Sequence, residues 1–83
     1  MDIRKETWMM MDPEVVNRLM SCPGAFKAWV VCVWEDIDAD DLYRKVDLQE
    51  MYHVNRKTIY NNKELINRAF DEYVIMSAMA HYY

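Results

Sequence analysis

Side chains able to contact nucleic acid are concentrated in one stretch of the chain, residues 44–63. Arginine and lysine bind phosphate oxygens or guanine, asparagine pairs with adenine, and threonine and tyrosine hydroxyls bind phosphates. The residues with this chemistry are Arg44, Asn55, Arg56, Lys57, Thr58, Tyr60, Asn61 and Lys63. Between them, Leu48, Val54 and Ile59 are spaced to hold one short helix against another. We expect residues 55–60 to enter a DNA major groove, with Arg44 and Lys63 on phosphates.

Residues 47–60 resemble the helix-turn-helix of many bacterial and phage regulators: they read Asp-Leu-Gln-Glu-Met-Tyr-His-Val-Asn-Arg-Lys-Thr-Ile-Tyr. The continuation to residue 70, which includes Lys-Glu-Leu-Ile, looks like the DNA-binding end of the tetracycline-repressor family. Members of that family commonly read Val-Ser-Lys-Gly-Thr-Ile-Tyr followed by Lys-Glu-Glu-Leu. The resemblance covers residues 47–70 and implies a helix-turn-helix in a small DNA-binding transcription regulator of a phage or mobile element.

Two residues depart from the pattern of that family. Gln49 replaces the small residue of the first helix, and His53 replaces the glycine that is usual at the turn. Glycine enters the left-handed conformation without a steric penalty, so His53 must hold an unfavourable backbone conformation if the turn is the standard one. We also expect no large ligand-binding domain of the kind found in that family, so the resemblance concerns the local fold.

Charge is distributed unevenly along the chain, whose net charge is −4. Residues 1–43 hold nine acidic and four basic residues, whereas residues 44–83 hold five acidic and six basic residues. We expect the acidic N-terminal half to face away from DNA, because phosphate repels carboxylates.

An alternative function uses the acidic half itself as a protein-binding surface. Small acidic phage proteins that inhibit a host protein, such as anti-CRISPR proteins and polymerase inhibitors, form the analogous functional class. Aromatic anchors and carboxylates of the kind that interfaces favour are Trp29, Trp34, Glu35, Asp36, Asp38, Asp40 and Asp41. In a third, purely structural interpretation the tryptophans are core residues, the acids are a solvated rim, and the basic helix contacts no DNA.

Neither an enzyme nor a metalloprotein is indicated. Cys22 and Cys32 lie in apolar surroundings, which raise the pKa of a thiol and lower its reactivity. Their spacing matches no zinc site. Aspartates at 36, 38 and 40 imitate the start of a calcium loop, but its sixth position lacks the required glycine. We expect no enzymatic activity and no cofactor.

The apolar residues bear on localisation and self-association. No apolar run approaches the roughly 18 residues that a membrane span needs, and the N-terminus has no signal-peptide pattern. We therefore expect an intracellular protein, in the cytoplasm of a bacterial host, without membrane contact. Hydrophobic residues make up 53% of the chain, more than so small a core can cover. We expect part of this surface to join two copies in a homodimer.

Helix signals in the first half of the chain are strong. Asp12 and Pro13 begin a helix that the Pro23-Gly24 pair closes. Residues 25–34 are almost continuously apolar, and we favour a helix over a buried strand because no second strand is available to pair with it.

The second half contains shorter elements. We expect a helix at residues 41–46 and another at 48–53, with Asp47 as its N-cap and Glu50 at the reciprocal position. Asn55 should cap the next helix, and Asn61 with Glu64 indicates a break before a final helix that ends near residue 80. The prediction is a single all-α domain over residues 1–83, a compact bundle of four or five helices with residues 1–11 as an N-terminal extension.

Overall fold

A computed structural model describes residues 5–80 of the chain, with side chains from 7 to 79. Within this range there are seven helices and no strand. The helices are α1 (Lys5–Met10), α2 (Pro13–Met20), α3 (Pro23–Glu35), α4 (Ala39–Arg44), α5 (Val46–Tyr52), α6 (Arg56–Asn61) and α7 (Lys63–Ala80). The all-α class and the helical state of residues 25–34 are confirmed.

The number of helices between residues 5 and 80 exceeds the predicted four or five. The expected N-terminal extension contains α1, which packs against α7 and buries Thr7 completely; residues 1–4 of that extension lie outside the described range. After α3, the chain forms three helices of only six or seven residues each, and each corresponds to a short helix predicted from the sequence. Such short helices depend on tertiary contacts for their stability, and their limits are poorly specified by local sequence.

Helix α3 occupies the centre of the bundle. It packs against α2, α4, α6 and α7, and its buried residues are Ala25, Ala28, Trp29, Val31, Cys32 and Val33. A helix that is covered on several sides has no polar stripe. The periodicity of its sequence therefore could not distinguish a helix from a buried strand. None of the helices between residues 5 and 80 combines the length and apolar composition needed to cross a lipid bilayer.

Trp29 is the largest fully buried side chain and lies within an aromatic cluster. Its ring centroid is 5.1 Å from that of Trp8, 5.8 Å from Phe26 and 5.7 Å from Tyr73. With no exposed surface, Trp29 cannot anchor a protein partner in this fold, so its place among the predicted interface residues is wrong. It was expected there because sequence alone does not separate a core tryptophan from a surface one.

Asp12 joins the start of α2 to the middle of α7. Its Oδ1 accepts the Glu14 backbone N–H at 2.9 Å, as predicted for a cap. Its Oδ2 accepts Arg68 Nη2 at 2.8 Å, and its own backbone N–H donates to Glu72 Oε1 at 3.0 Å. One residue therefore begins a helix and fixes that helix against the longest one in the fold.

The limits of α4 and α5 differ from the prediction. Asp38 caps α4, accepting the Asp41 N–H at 2.8 Å, and the Ala39 N–H donates to Asn67 Oδ1 at 2.7 Å, so α4 begins two residues early. The N-cap of α5 is Lys45, and no side-chain hydrogen bond caps that helix; Asp47 lies within its first turn and is not the cap. Lys45 both ends α4 and begins α5, which leaves no linker for a separate cap.

Gln49 explains why the two helices can adjoin so closely. Its buried Nε2 donates to the carbonyl oxygens of Leu42 at 2.8 Å and of Tyr43 at 2.9 Å. A buried carbonyl without a partner at the end of a helix costs about 1–3 kcal/mol; the Leu42 carbonyl also accepts the Lys45 N–H at 3.1 Å, so the bond from Gln49 matters most for Tyr43. The glutamine that departs from the family pattern therefore completes the C-terminal end of α4.

The two thiols differ in burial, and we therefore expect them to differ in reactivity. Burial, together with the charge of Asp38, raises the pKa of Cys32 to about 12, whereas Cys22 is only half-buried. At pH 8 on the order of 10⁻⁴ of the Cys32 thiol is ionised, so Ellman's reagent should modify Cys22 rapidly and Cys32 only when the protein unfolds. The Cys22→Ser variant isolates the protected thiol. Rapid native-state reaction of that variant would contradict this arrangement.

Candidate nucleic-acid interface

Helix α6 carries four of the eight predicted DNA-binding residues on its exposed side. Ile59, fully buried, and Val54, 7% exposed, fasten this segment to the core. Helix α6 packs chiefly against α3 and α4 and leads directly into α7; α5 is not one of its main partners, contrary to the expected clamp through Leu48. The exposed side chains are Arg56, Lys57, Tyr60 and Asn61.

Asn55 caps α6 as predicted. Its Oδ1 accepts the backbone N–H of Lys57 at 2.8 Å and that of Thr58 at 3.4 Å. The side-chain oxygen is therefore used within the protein, and the bidentate contact to adenine, which needs both the oxygen and the nitrogen, would require the cap to open. Asn55 orders the start of the helix.

The turn before α6 has the left-handed conformation expected for His53, with φ 55° and ψ 47°. Lys27 Nζ donates to the His53 carbonyl oxygen at 3.2 Å, and the Val54 N–H returns to the Gln49 carbonyl at 2.9 Å. These bonds hold a residue that has an intrinsic steric penalty in this region, and they connect the turn to α3. Lys27 is a contributor that sequence reasoning missed.

Thr58 is half-buried, and its side chain lies against α3. A Cβ added to Gly24 in α3 would lie 2.8 Å from Thr58 Cγ2, a separation that requires a shift of one side chain or helix. Gly24 was expected to help close the preceding helix. Instead it lies in the first turn of α3 with negative φ, and its lack of a side chain lets α6 approach.

Tyr43 supports Arg56. The Arg56 guanidinium carbon lies 4.2 Å from the centroid of the Tyr43 ring, and the Tyr43 and Tyr60 rings lie 5.8 Å apart. A guanidinium over an aromatic face is attracted by the ring quadrupole and loses part of its rotational freedom. Tyr43, which sequence reasoning did not select, thus holds a basic side chain of α6 in one direction.

Lys63 is not free to bind phosphate, because its Nζ lies 2.7 Å from Asp40 Oδ1. The hydrogen bond between them raises the pKa of Lys63 and lowers that of Asp40. Arg44 is close enough for its charge to act on both groups. Asp40 departs from the expectation that the acidic half faces away from DNA, since α4 brings that carboxylate to Lys63, one of the predicted phosphate-binding residues.

The other predicted acidic residues are divided between structural and exposed positions. Glu35 Oε1 accepts the Tyr52 hydroxyl at 2.6 Å, a bond that raises the pKa of Tyr52, and Asp38 caps α4. Asp36, in a left-handed conformation at the end of α3, and Asp41 are exposed. Trp34 is 45% exposed, with its ring centroid 6.2 Å from that of Tyr52.

No family model, curated protein or solved structure matches the chain. Within residues 5–80, no three histidine, cysteine or acidic side chains are grouped as metal ligands.

The close approach of Gly24 and Thr58 predicts that Gly24→Ala changes the free energy of unfolding. The sign of this change should depend on the side chain at position 58. Gly24→Ala should lower the free energy of unfolding by about 1 kcal/mol, because overpacking exceeds the gain in helix propensity. In a Thr58→Ser background, which removes only Cγ2, the same change should be neutral or stabilising. Urea denaturation followed by tryptophan fluorescence would measure all four variants, and equal effects in both backgrounds would exclude this steric contact.

Proposed function

We propose that the protein binds double-stranded DNA through α6, as a small helix-turn-helix regulator of a phage or mobile element. The observation that carries the proposal is the composition of α6: its apolar residue is fully buried, and four polar or basic residues are exposed on one short helix. Helix α5, the left-handed His53 and the capped start of α6 follow one another as in a helix-turn-helix.

The dimensions of α6 suit a major groove. Six residues give a helix about 9 Å long, and a helix with its side chains matches a groove about 12 Å wide. In the proposed complex, Arg56, Lys57 and Asn61 meet base edges and Tyr60 meets the backbone. Arg44 binds a phosphate, and Lys63 does so when it leaves Asp40. Asn55 positions the helix through its cap and Thr58 through its contact with α3.

A homodimer is part of the proposal, because few basic side chains surround one copy of α6 and affinity for DNA increases with the number of neutralised phosphates. The second half of α7 exposes Val74, Ile75 and Met79, each by 45–55%. Val74 lies eleven residues from Lys63, about 16 Å along the helix. Joining two copies there would leave both α6 helices accessible.

Inhibition of a host protein through the acidic half has less support. Trp29 is buried, and Glu35, Asp38 and Asp40 have partners within the protein. The exposed remainder of that set is Trp34, Asp36 and Asp41.

Fluorescence anisotropy with labelled duplexes, including DNA from the neighbourhood of the gene, tests the proposal at low salt. Wild-type protein should bind with a stoichiometry of two chains per duplex, and Arg56→Ala with Lys57→Ala should weaken binding about 10-fold or more, because two positive charges and two groove contacts are lost. Arg68→Ala, which removes a positive charge on the side of α7 that pairs with Asp12, is the control. Failure to bind, or indifference to the double substitution, would reject the proposal, and saturation at one chain per duplex would reject the dimer.

Asp40 should limit DNA binding by competing with phosphate for Lys63. Asp40→Asn removes the negative charge and releases the lysine, so affinity should rise several-fold and the salt dependence should steepen by about one counterion. Asp41→Asn makes the same change of net charge at an exposed neighbour without a bond to Lys63, and should have a smaller effect. Equal effects of the two variants in the same anisotropy titration would mean that only net charge matters.

A further inference from the structure

A polar groove runs between α2 and the junction of α6 and α7. It consists of two adjoining hollows, of about 360 and 570 Å³, that share Arg18, Asn62 and Leu65. The first hollow is also lined by Tyr60 and Lys63, so the groove opens beside α6. The second continues along α2 to the end of that helix.

Arg18 is the basic residue that both hollows share. It is exposed, and across the described residues its guanidinium forms neither an ion pair nor a hydrogen bond. Arg68 provides the contrast: it also belongs to the α2 and α7 pair, but it lies 2.8 Å from Asp12 and 3.5 Å from Glu72. The fork of an unpaired guanidinium matches the geometry of a phosphate group and can donate two hydrogen bonds to it.

We propose that the groove receives the sugar-phosphate backbone of the DNA strand next to α6, and that Arg18 binds a phosphate of that strand. The inference rests on the proposed function, because it extends the surface of α6. A strand whose phosphates meet Tyr60 and Lys63 at the mouth of the groove continues past Arg18, since all three side chains line the same hollow.

The carboxylates in the groove set the expected strength of this contact. Glu14 lines the second hollow and Glu64 the first, and neither forms an ion pair with Arg18. They repel a phosphate, so Arg18 offsets their charge as well as binding the ligand. Removing the carboxylate of Glu64 should therefore strengthen DNA binding, and removing the charge of Arg18 should weaken it on every sequence.

The test compares Arg18→Ala, Arg18→Lys, Glu64→Gln and the control Arg68→Ala on two duplexes of unrelated sequence. Anisotropy titrations from about 50 to 200 mM salt give both the affinity and its salt dependence. Arg18→Ala should weaken binding several-fold on both duplexes and reduce the salt slope by about one, while Arg18→Lys should retain the slope. Glu64→Gln should tighten binding, and Arg68→Ala should change neither quantity. Circular dichroism and thermal unfolding verify that each variant is folded.

The outcomes separate this inference from the proposed function. If wild-type protein binds and Arg56→Ala with Lys57→Ala disrupts binding, but Arg18→Ala keeps the wild-type affinity and slope, the groove does not hold the strand and α6 still does. A loss confined to one duplex would make Arg18 a base contact and overturn the phosphate assignment. Absence of wild-type binding to any duplex overturns both. Should Arg18→Ala fail to fold, Arg18→Lys and Glu64→Gln decide: no gain from Glu64→Gln would reject the inference.

Discussion

The burial of α3 is the constraint on which the rest of the fold depends. A 13-residue helix with buried side chains on several faces must be covered from several directions, and a chain of 83 residues has little material for this. Short helices provide this cover: α1, α2, α4 and α6 each bury one face against α3 or α7, and α5 packs against α4. Because short helices are marginal alone, three of them are fixed by specific side-chain bonds at their ends: Asp12 at α2, Asp38 and Gln49 at α4, and Asn55 at α6.

The same constraint determines the position of the candidate interface. Helix α6 lies where it does because Gly24 permits close contact with α3 and because Lys27 holds the carbonyl of the left-handed His53. Neither contact involves an exposed side chain of α6. The exposed polar residues of α6 are therefore held in place by contacts between their helix and the core. This reduces the conformational entropy that would be lost when a ligand binds. Tyr43 extends this support to Arg56.

Features that act over a few residues could be predicted from the sequence. The caps at Asp12 and Asn55 and the left-handed His53 all follow local rules. Asp47 failed as a cap although it satisfies the same rule, because Lys45 is shared by α4 and α5 and removes the linker. The burial of Trp29 and the pairing of Asp40 with Lys63 depend on packing between residues distant in sequence, which a single sequence does not specify. The residue types in the candidate interface were enough to select it from the sequence. The residues that hold this interface in place could not be recognised in the same way.

Net charge is a poor guide to what this surface can bind. At physiological salt a charge is screened beyond about 8 Å, so an approaching phosphate responds to the groups near α6 and not to the whole chain. Asp12 is paired with Arg68 and Asp38 caps α4 through a backbone N–H, whereas Asp40 takes up Lys63 and so reduces the positive charge beside α6. Arg18, Arg44 and Lys57 have no such ion pair among the described residues and remain available to a ligand. The charge that a ligand meets at α6 therefore depends on which side chains near that helix are paired and which are not, and the net charge of −4 does not report it.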